Sequence, residues 1–292
     1  MGISIYKKNF IDYSIDPIIS TGTPPVSFEV LATPTSSITD DERDTIQNVR
    51  DRSNNTGFAT TNLNANERIN IHVRFGSEVE VSNIMMLGHN FGEILVIYRE
   101  GGVERLRRTI TTMEPSAVSS SDTINTFMEI DKLSVDYIFI GGSNRFSRGL
   151  SPGQEGQAYM NQLIMTEKIG EFENQLLISK MQFDNVKKEQ ELITRKSRIV
   201  RFNQRSVFRL SKKNVVSRND LELQEKIFEE NDGVLVSLSG EGKRTFIRTG
   251  LRSGYKPEDI FLMSPKNEYM PNFNDGRFNQ GMSIDMDMVE IA

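Results

Sequence analysis

The stretch "ERINIHVRFGS", Glu67 to Ser77, decides how the chain is read. Ile69, Ile71, Val73 and Phe75 fall on one parity and Asn70, His72 and Arg74 on the other. Strict alternation of this kind is the signature of a strand with one buried face and one wet face, because successive side chains leave a pleated backbone on opposite sides. "VEVSNIMMLGHNF" carries the strand into a Gly-His-Asn loop, and "EILVIYREGGVERLRRTI" adds a hairpin. Its arms, Ile94 to Arg99 and Val103 to Ile110, flank Gly101-Gly102, which supplies the positive φ angles of a tight primed turn. "LSVDYIFIGG" is apolar on both faces through Val135 and Tyr137 to Ile140, as an internal strand is. The Gly- and Ser-rich "GGSNRFSRGLSPGQEGQ" after it reads as a long loop.

The flanks divide the chain. "GISIY" makes a short N-terminal strand. "STGTPPVSFEVLATPTSSITDDERD", with Pro24, Pro25 and Pro34, reads as linker or surface loop. Near Glu173 the character changes. "QLLISKMQF" and "RIVRFNQRSVFRL" are strands, and Ser217 caps a helix whose apolar stripe is Leu221, Leu223, Ile227 and Phe228, stopped by "NDG" at Asn231 to Gly233. A hairpin over Val234 to Leu251, turned at Gly240 to Lys243, follows. The chain closes on "GMSIDMDMVEIA", where Met282, Ile284, Met286 and Met288 alternate with Ser283, Asp285 and Asp287, then slip phase as a β-bulge would. Met288 and its neighbours should cover a core while the aspartates point out, with the strand beside either the Val234 to Leu251 hairpin or "GISIY".

The expected architecture is therefore mainly β. A jelly-roll-like β-sandwich spans residues 25–174 and a smaller α+β domain, a β-sandwich with one flanking helix, spans residues 175–292. Residues 1–24 form a strand and linker that can join the latter.

Composition narrows the chemistry. The 292 residues contain no Cys, no Trp and only 2 His, with a formal net charge of −5. Disulfides, thiolate metal sites and cysteine nucleophiles are excluded. His72 and His89 lack the spacing of a zinc pair. No apolar run approaches the roughly 18–20 residues needed to cross a bilayer, and the N-terminus has no apolar signal-peptide core. No phosphate loop or nucleophile elbow occurs, and the serine of "GGSN" at Gly141 to Asn144 lacks a strand-turn-helix setting. Asp285 and Asp287 could hold a cation or act as acid and base, but alternation alone gives their spacing. Lys187 to Arg205 carries seven Lys and Arg against two Glu; with few interleaved aromatics it suits a solvated or subunit-facing strand better than nucleic acid. "LGHNF" reads as a structural turn in which Asn90 bonds its own backbone. No catalytic, cofactor-binding or metal residue is assigned, and no cofactor is expected.

Two resemblances add to this. "NERINIHVRFGSEVEVSNIMMLGHNF", the Gly-Gly hairpin and "VDYIFIGG" resemble discoidin-like (galactose-binding-like) jelly rolls, especially those of phage structural proteins, over residues 55–170; the chain differs in having no Trp and no cysteine pair. "SVFRLSKKNVVSRNDLELQEKIFEENDGVLVSLSGEGKRTFIRTGLRSGY" resembles the sandwich and helix of distal tail and tail-tube proteins of tailed bacteriophages, over residues 175–292. These imply a non-enzymatic virion protein, made in the host cytoplasm, that forms a homo-oligomeric ring in the tail hub or baseplate and links it to fibres or receptor-binding proteins. Its partners would be itself and other tail proteins, with DNA met only in a tail lumen and glycan not favoured. On this view the loops at His89 to Phe91 and Gly141 to Gly156 would meet protein neighbours. The alternative is a carbohydrate-binding discoidin-like module; a hydrolase ranks third.

Overall fold

The computed structural model describes residues 3–12, 26–33, 45–50, 57–59, 68–111, 124–143, 159–173, 176–191, 197–215, 217–230, 232–237, 260–266, 272–273 and 282–290. In chain order these give β1 (Ser4–Lys7), β2 (Val26–Thr33), a 3-10 turn at Thr45–Arg50, β3 (Phe58–Ala59), β4 (Arg68–His89), β5 (Glu93–Glu100), β6 (Val103–Thr111) and β7 (Ile124–Ser143). Then come β8 (Tyr159–Met160), β9 (Gln162–Thr166), β10 (Lys168–Glu171), β11 (Leu177–Glu191) and β12 (Ser197–Val215). The helix α1 (Arg218–Glu229) precedes β13 (Val234–Ser237), β14 (Ile260–Pro265), β15 (Asn272–Phe273) and β16 (Met282–Glu290). The protein is mainly β, with antiparallel sheets and this one α-helix among the described residues.

Two compact units result, one from the described residues of Asn9–Glu167 and one from those of Met1–Lys8, Lys168–Glu241 and Asp259–Ala292. The first is a β-sandwich built on β4 and β7, strands of 22 and 20 residues. Their mutual register breaks between Arg74 and Val79 and again between Val81 and Asn83. Before the break, β4 lies between β2 and β7 and the sheet runs β2-β4-β7-β5-β6; after it, β4 lies between β7 and β9. Such breaks let a long strand bend and twist. The two halves fold over one core, in which Ile69, Ile71 and Val73 meet Ile84, Met86, Ile138, Ile140, Leu163 and Met165. Each large apolar side chain taken wholly from water contributes about 1.5–3 kcal/mol. Gly101 and Gly102 have φ of +56° and +80° between paired Glu100 and Val103, the primed two-residue turn read from the sequence.

Asn9 ties its own segment to the sandwich as a substitute strand. Its Nδ2 donates to the Leu163 carbonyl at 3.0 Å and its Oδ1 accepts from the Met165 amide at 2.9 Å. The edge of β9 is thereby met by this buried side chain and by the Phe10 amide, which donates to the Met165 carbonyl at 2.9 Å.

In the second unit the sheet order is β10-β1-β13-β14-β16-β12-β11, with β15 on β16. Ile3 and Ile5 of the N-terminal segment share a core with Phe208, Leu210, Val234, Val236, Met263, Ile284, Met286 and Met288. The helix lays Leu223 and Ile227 onto that core, with Leu221 and Phe228 at its margin. Ser217 caps it, accepting the Asp220 amide at 3.4 Å, and Gly233 leaves it at φ +82°. The buried Asp220 carboxylate accepts the Glu173 amide at 2.7 Å. Glu173 in turn accepts from Asn219 and Ser217, and those bonds hold its carboxyl below the ordinary range.

Three sequence expectations need correction, and a fourth falls largely outside the described residues. Val26–Thr33, read as linker, is a strand along the whole first part of β4, from Val26 opposite Phe75 to Thr33 opposite Arg68. The flanking prolines and Ser/Thr content obscured an alternating "VSFEVLA". The turn and second arm of the expected Val234 to Leu251 hairpin lie outside the described residues; its first arm, β13, pairs with β1 and β14. The terminal strand is flanked by β12 and β14, not by that hairpin or by "GISIY". Finally, β16 runs past Met288 without a bulge: Met288 pairs with Phe208 and Val289 with Val207 in unbroken register.

Candidate functional site

The alternation that buries Ile69, Ile71 and Val73 must turn Asn70, His72 and Arg74 to the outer face of the sandwich sheet. On β7 the same rule turns out Tyr137, Phe139 and Gly141, and on β5 Leu95, Ile97 and Arg99. Register then aligns these nine residues in three rungs across adjacent strands. Asn70, Gly141 and Leu95 form one, His72, Phe139 and Ile97 the next, and Arg74, Tyr137 and Arg99 the third.

The side chains of these rungs touch. The His72 ring stands edge-on to Phe139, centroids 5.2 Å apart at 74°, a favourable aromatic arrangement. Phe139 bends toward Gly141: a Cβ there would meet its ring carbon at 3.1 Å, so glycine gives the ring its seat. The Tyr137 hydroxyl lies 2.6 Å from Nδ1 of His72. The guanidinium carbons of Arg74 and Arg99 lie 4.9 Å and 5.4 Å from the Tyr137 ring centre. That is within cation–π range, and it explains why Tyr137 is only 9% exposed on an outward face. His72, Phe139 and Arg99 are half-buried and Arg74 is exposed, so the patch is reached from solvent. Glu29 occupies the register position beside His72, and Ser27 the one beside Arg74.

The other histidine belongs to the frame. His89 is fully buried; its Nδ1 accepts the Phe91 amide at 3.1 Å, so Nε2 carries the hydrogen and donates to Thr126 Oγ1 at 2.7 Å. Burial pushes its pKa down to about 3. Around it, Gly88 (φ +59°) donates to Asn125 Oδ1 at 2.7 Å, and Asn90 Oδ1 accepts the amide of Tyr159 at 2.8 Å. "LGHNF" is a structural corner, as read, but it locks β4 to β8 and offers no side chain of His89 or Phe91 to a protein neighbour. The Gly141 to Gly156 loop lies outside the described residues beyond Ser143.

The remaining sequence candidates disperse. Asp285 and Asp287 flank Arg209: its Nε donates to Asp285 Oδ1 at 2.7 Å, its Nη2 reaches the other oxygen, and Asp287 is 3.9 Å away. They are an ion-paired outer face of β16, and the pairing raises the Arg209 pKa. The described residues of the Lys187 to Arg205 stretch lie on the paired arms of β11 and β12, with Lys187 opposite Arg201 and Gln190 opposite Arg198. Among the described residues no three His, Asp or Glu side chains gather to hold a metal, and no helix is long and apolar enough to cross a membrane. A depression of about 520 Å³ opens between the edge strand β6 and the first half of β7, lined by Arg108, Ile110 and Phe127 to Asp131. Phe127 is nearly buried there, so the lining presents charges and main chain rather than an aromatic surface.

Sequence reasoning missed the outer-face cluster. The alternation in Glu67 to Ser77 and in "LSVDYIFIGG" already assigned His72, Arg74 and Phe139 to outward or uncertain faces; the missing signal was register, which brings three distant segments into one rung.

No family model matches the chain, and no curated protein matches it. Among solved structures it is similar to a GH29 fucosidase of Ruminococcus gnavus in complex with fucose, at 13% identity and a TM-score of 0.36, over 55% of this chain and 27% of that one. The chain thus spans little more than a quarter of that enzyme's length. It is also similar to a family 32 carbohydrate-binding module from Clostridium perfringens in complex with galactose, at 17% identity and a TM-score of 0.33, over 48% of this chain and 93% of that one. A third is the CBM32-3 module from a family 31 glycoside hydrolase of Clostridium perfringens, at 15% identity and a TM-score of 0.35, over 48% and 91% of the two chains. These findings overturn the expected ring-forming phage-tail component. The three named here are two carbohydrate-binding modules and a fucosidase, the class of the alternative drawn from the sequence, a discoidin-like carbohydrate-binding module.

Proposed function

We propose that the sandwich is a non-catalytic saccharide-binding module whose ligand lies across Phe139 on the outer face of the β2-β4-β7-β5-β6 sheet. A pyranose has an apolar face of C–H groups and a rim of hydroxyls, so its site needs a flat apolar surface beside fixed, planar hydrogen-bonding groups. The observation that carries the reading is this combination in two adjacent rungs: the Phe139 ring seated over Gly141 and flanked by His72, next to the Arg74, Tyr137, Arg99 rung. The lack of Trp counted against sugar in the sequence; Phe139 supplies the platform instead. Arg guanidinium groups present forked donors in a rigid plane, which suits vicinal oxygens.

A glycan array probed with the wild-type protein tests this. Binding to a defined subset of glycans is expected. In titration against the best of them, Phe139→Ala should weaken binding at least tenfold while Phe139→Tyr retains it, with unchanged circular dichroism. Absence of binding to any glycan would overturn the function, and full binding by Phe139→Ala would overturn the site.

A further inference from the structure

The rung beside Phe139 has an unbalanced charge. Arg74 and Arg99 are both direct cross-strand partners of Tyr137, one on each side, and both guanidinium groups lie within 5.4 Å of its ring centre. Neither has an ion pair among the described residues. The nearest described carboxylates have other contacts, although the charge of Glu104 also acts on Arg99. Glu104, opposite Arg99 on β6, takes two bonds from Arg107 at 2.9 Å and 2.8 Å. Glu100 pairs with Arg105 at 2.6 Å. Asp136 accepts the Gly101 amide at 3.1 Å through one oxygen, and its other oxygen is buried without a hydrogen-bond partner. Arg99 also keeps its Nε buried and without a hydrogen-bond acceptor. Ring faces hold the two cations in place, but a π-face takes no N–H fork, so the donors that reach solvent, those of the exposed Arg74 first, are left for an oxyanion. This positive rung is set in a chain whose formal net charge is −5, so it is a local feature and not a reflection of overall composition.

Resting on the saccharide-binding reading above, we infer that the ligand is an acidic saccharide, whose carboxylate or sulfate lies on the Arg74, Tyr137, Arg99 rung while its ring stacks on Phe139. Adjacent strands are about 4.8 Å apart. One sugar ring therefore reaches from the Phe139 rung to the arginine rung, and an anion over Tyr137 meets a guanidinium from either side. The Coulomb attraction operates at a partly exposed surface, so salt should weaken it.

The test is an array of matched pairs, each acidic saccharide printed beside the same saccharide with its carboxylate esterified or its sulfate removed. Acidic members should bind at least tenfold tighter than their neutral mates, and the margin should shrink as NaCl rises from 50 to 500 mM. Arg74→Gln and Arg99→Gln should each bring the two members of a pair close together, the acidic member losing more affinity than the neutral one, and Arg74→Lys should restore part of the preference. If neutral members bind as well as acidic ones, the inference of an acidic ligand falls and saccharide binding stands. If no member of any pair binds, both fall.

Discussion

His89 has traded its charge for a place in the frame. With no exposed surface and both ring nitrogens in hydrogen bonds, it is held neutral, and its pKa is pushed from the ordinary 6.5 to about 3. In the unfolded chain it titrates near 6.5. Between those values the unfolded state binds a proton that the folded state refuses. The contribution is therefore fully present above about pH 6.5 and lost as pH falls toward 3, with a slope approaching 1.4 kcal/mol per pH unit, roughly the value for one proton. Urea unfolding of the wild type and of His89→Gln across pH 7 to 4.5 isolates it: the wild type should lose stability more steeply on the acid side. Parallel slopes would mean that His89 charges inside the fold. Alternation alone put His72 on the wet face, but nothing in the sequence showed that His89, read as part of a loop, lies in the core. Only the long pairings of β4 with β7 and β9 put it there.

At the scale of elements, local signals were read well and non-local ones poorly. Gly101-Gly102 is legible because two consecutive positive φ angles are a purely local demand. An added Cβ at either glycine would meet nothing within 4 Å. Gly101→Ala and Gly102→Ala should therefore each cost about 1–2 kcal/mol from backbone strain alone, whereas Gly101→Asn, which tolerates the left-handed region, should cost much less. Urea midpoints of the three variants check this; an alanine variant with no loss would show that the turn takes another geometry. Gly142 is the contrasting case, since a Cβ there would meet the Phe91 ring at 2.8 Å and the cost would come from packing. The helix was equally legible through its Ser217 cap and its Leu223, Ile227 stripe. By contrast, β2 was missed because its worth lies in pairing with β4 some forty residues later. The partners of β13 were hidden for the same reason: it pairs with β1 and β14, and no local turn signal encodes that choice. The outer-face site is built from the same kind of information. Period-two alternation identifies faces, but His72, Tyr137 and Arg99 become neighbours only through register.

For the whole molecule, the order of strands in the second unit carries a mechanical consequence. Its sheet draws β1 from the N-terminal segment, seated between β10 and β13, and β16 from the C-terminal segment, seated between β14 and β12. Both are interior positions, and each supplies core: Ile5 from β1, and Ile284, Met286 and Met288 from β16, all essentially without exposed surface. Removing either strand opens two rows of backbone hydrogen bonds and uncovers apolar side chains, losses that together exceed the stability of an ordinary domain, about 5–15 kcal/mol. The sandwich has its own core and includes neither strand. Truncations lacking residues 1–8 or residues 283–292, although made at opposite ends of the sequence, should therefore abolish the same structure. Amide hydrogen exchange should show protection lost across β10 to β16 in both, with protection retained across β4, β5 and β7. Glycan binding, if it resides on the Phe139 face, should survive in both as well. Loss of protection confined to the strands next to the cut, or collapse of the sandwich along with the second sheet, would contradict this division of the molecule into two separately cored units.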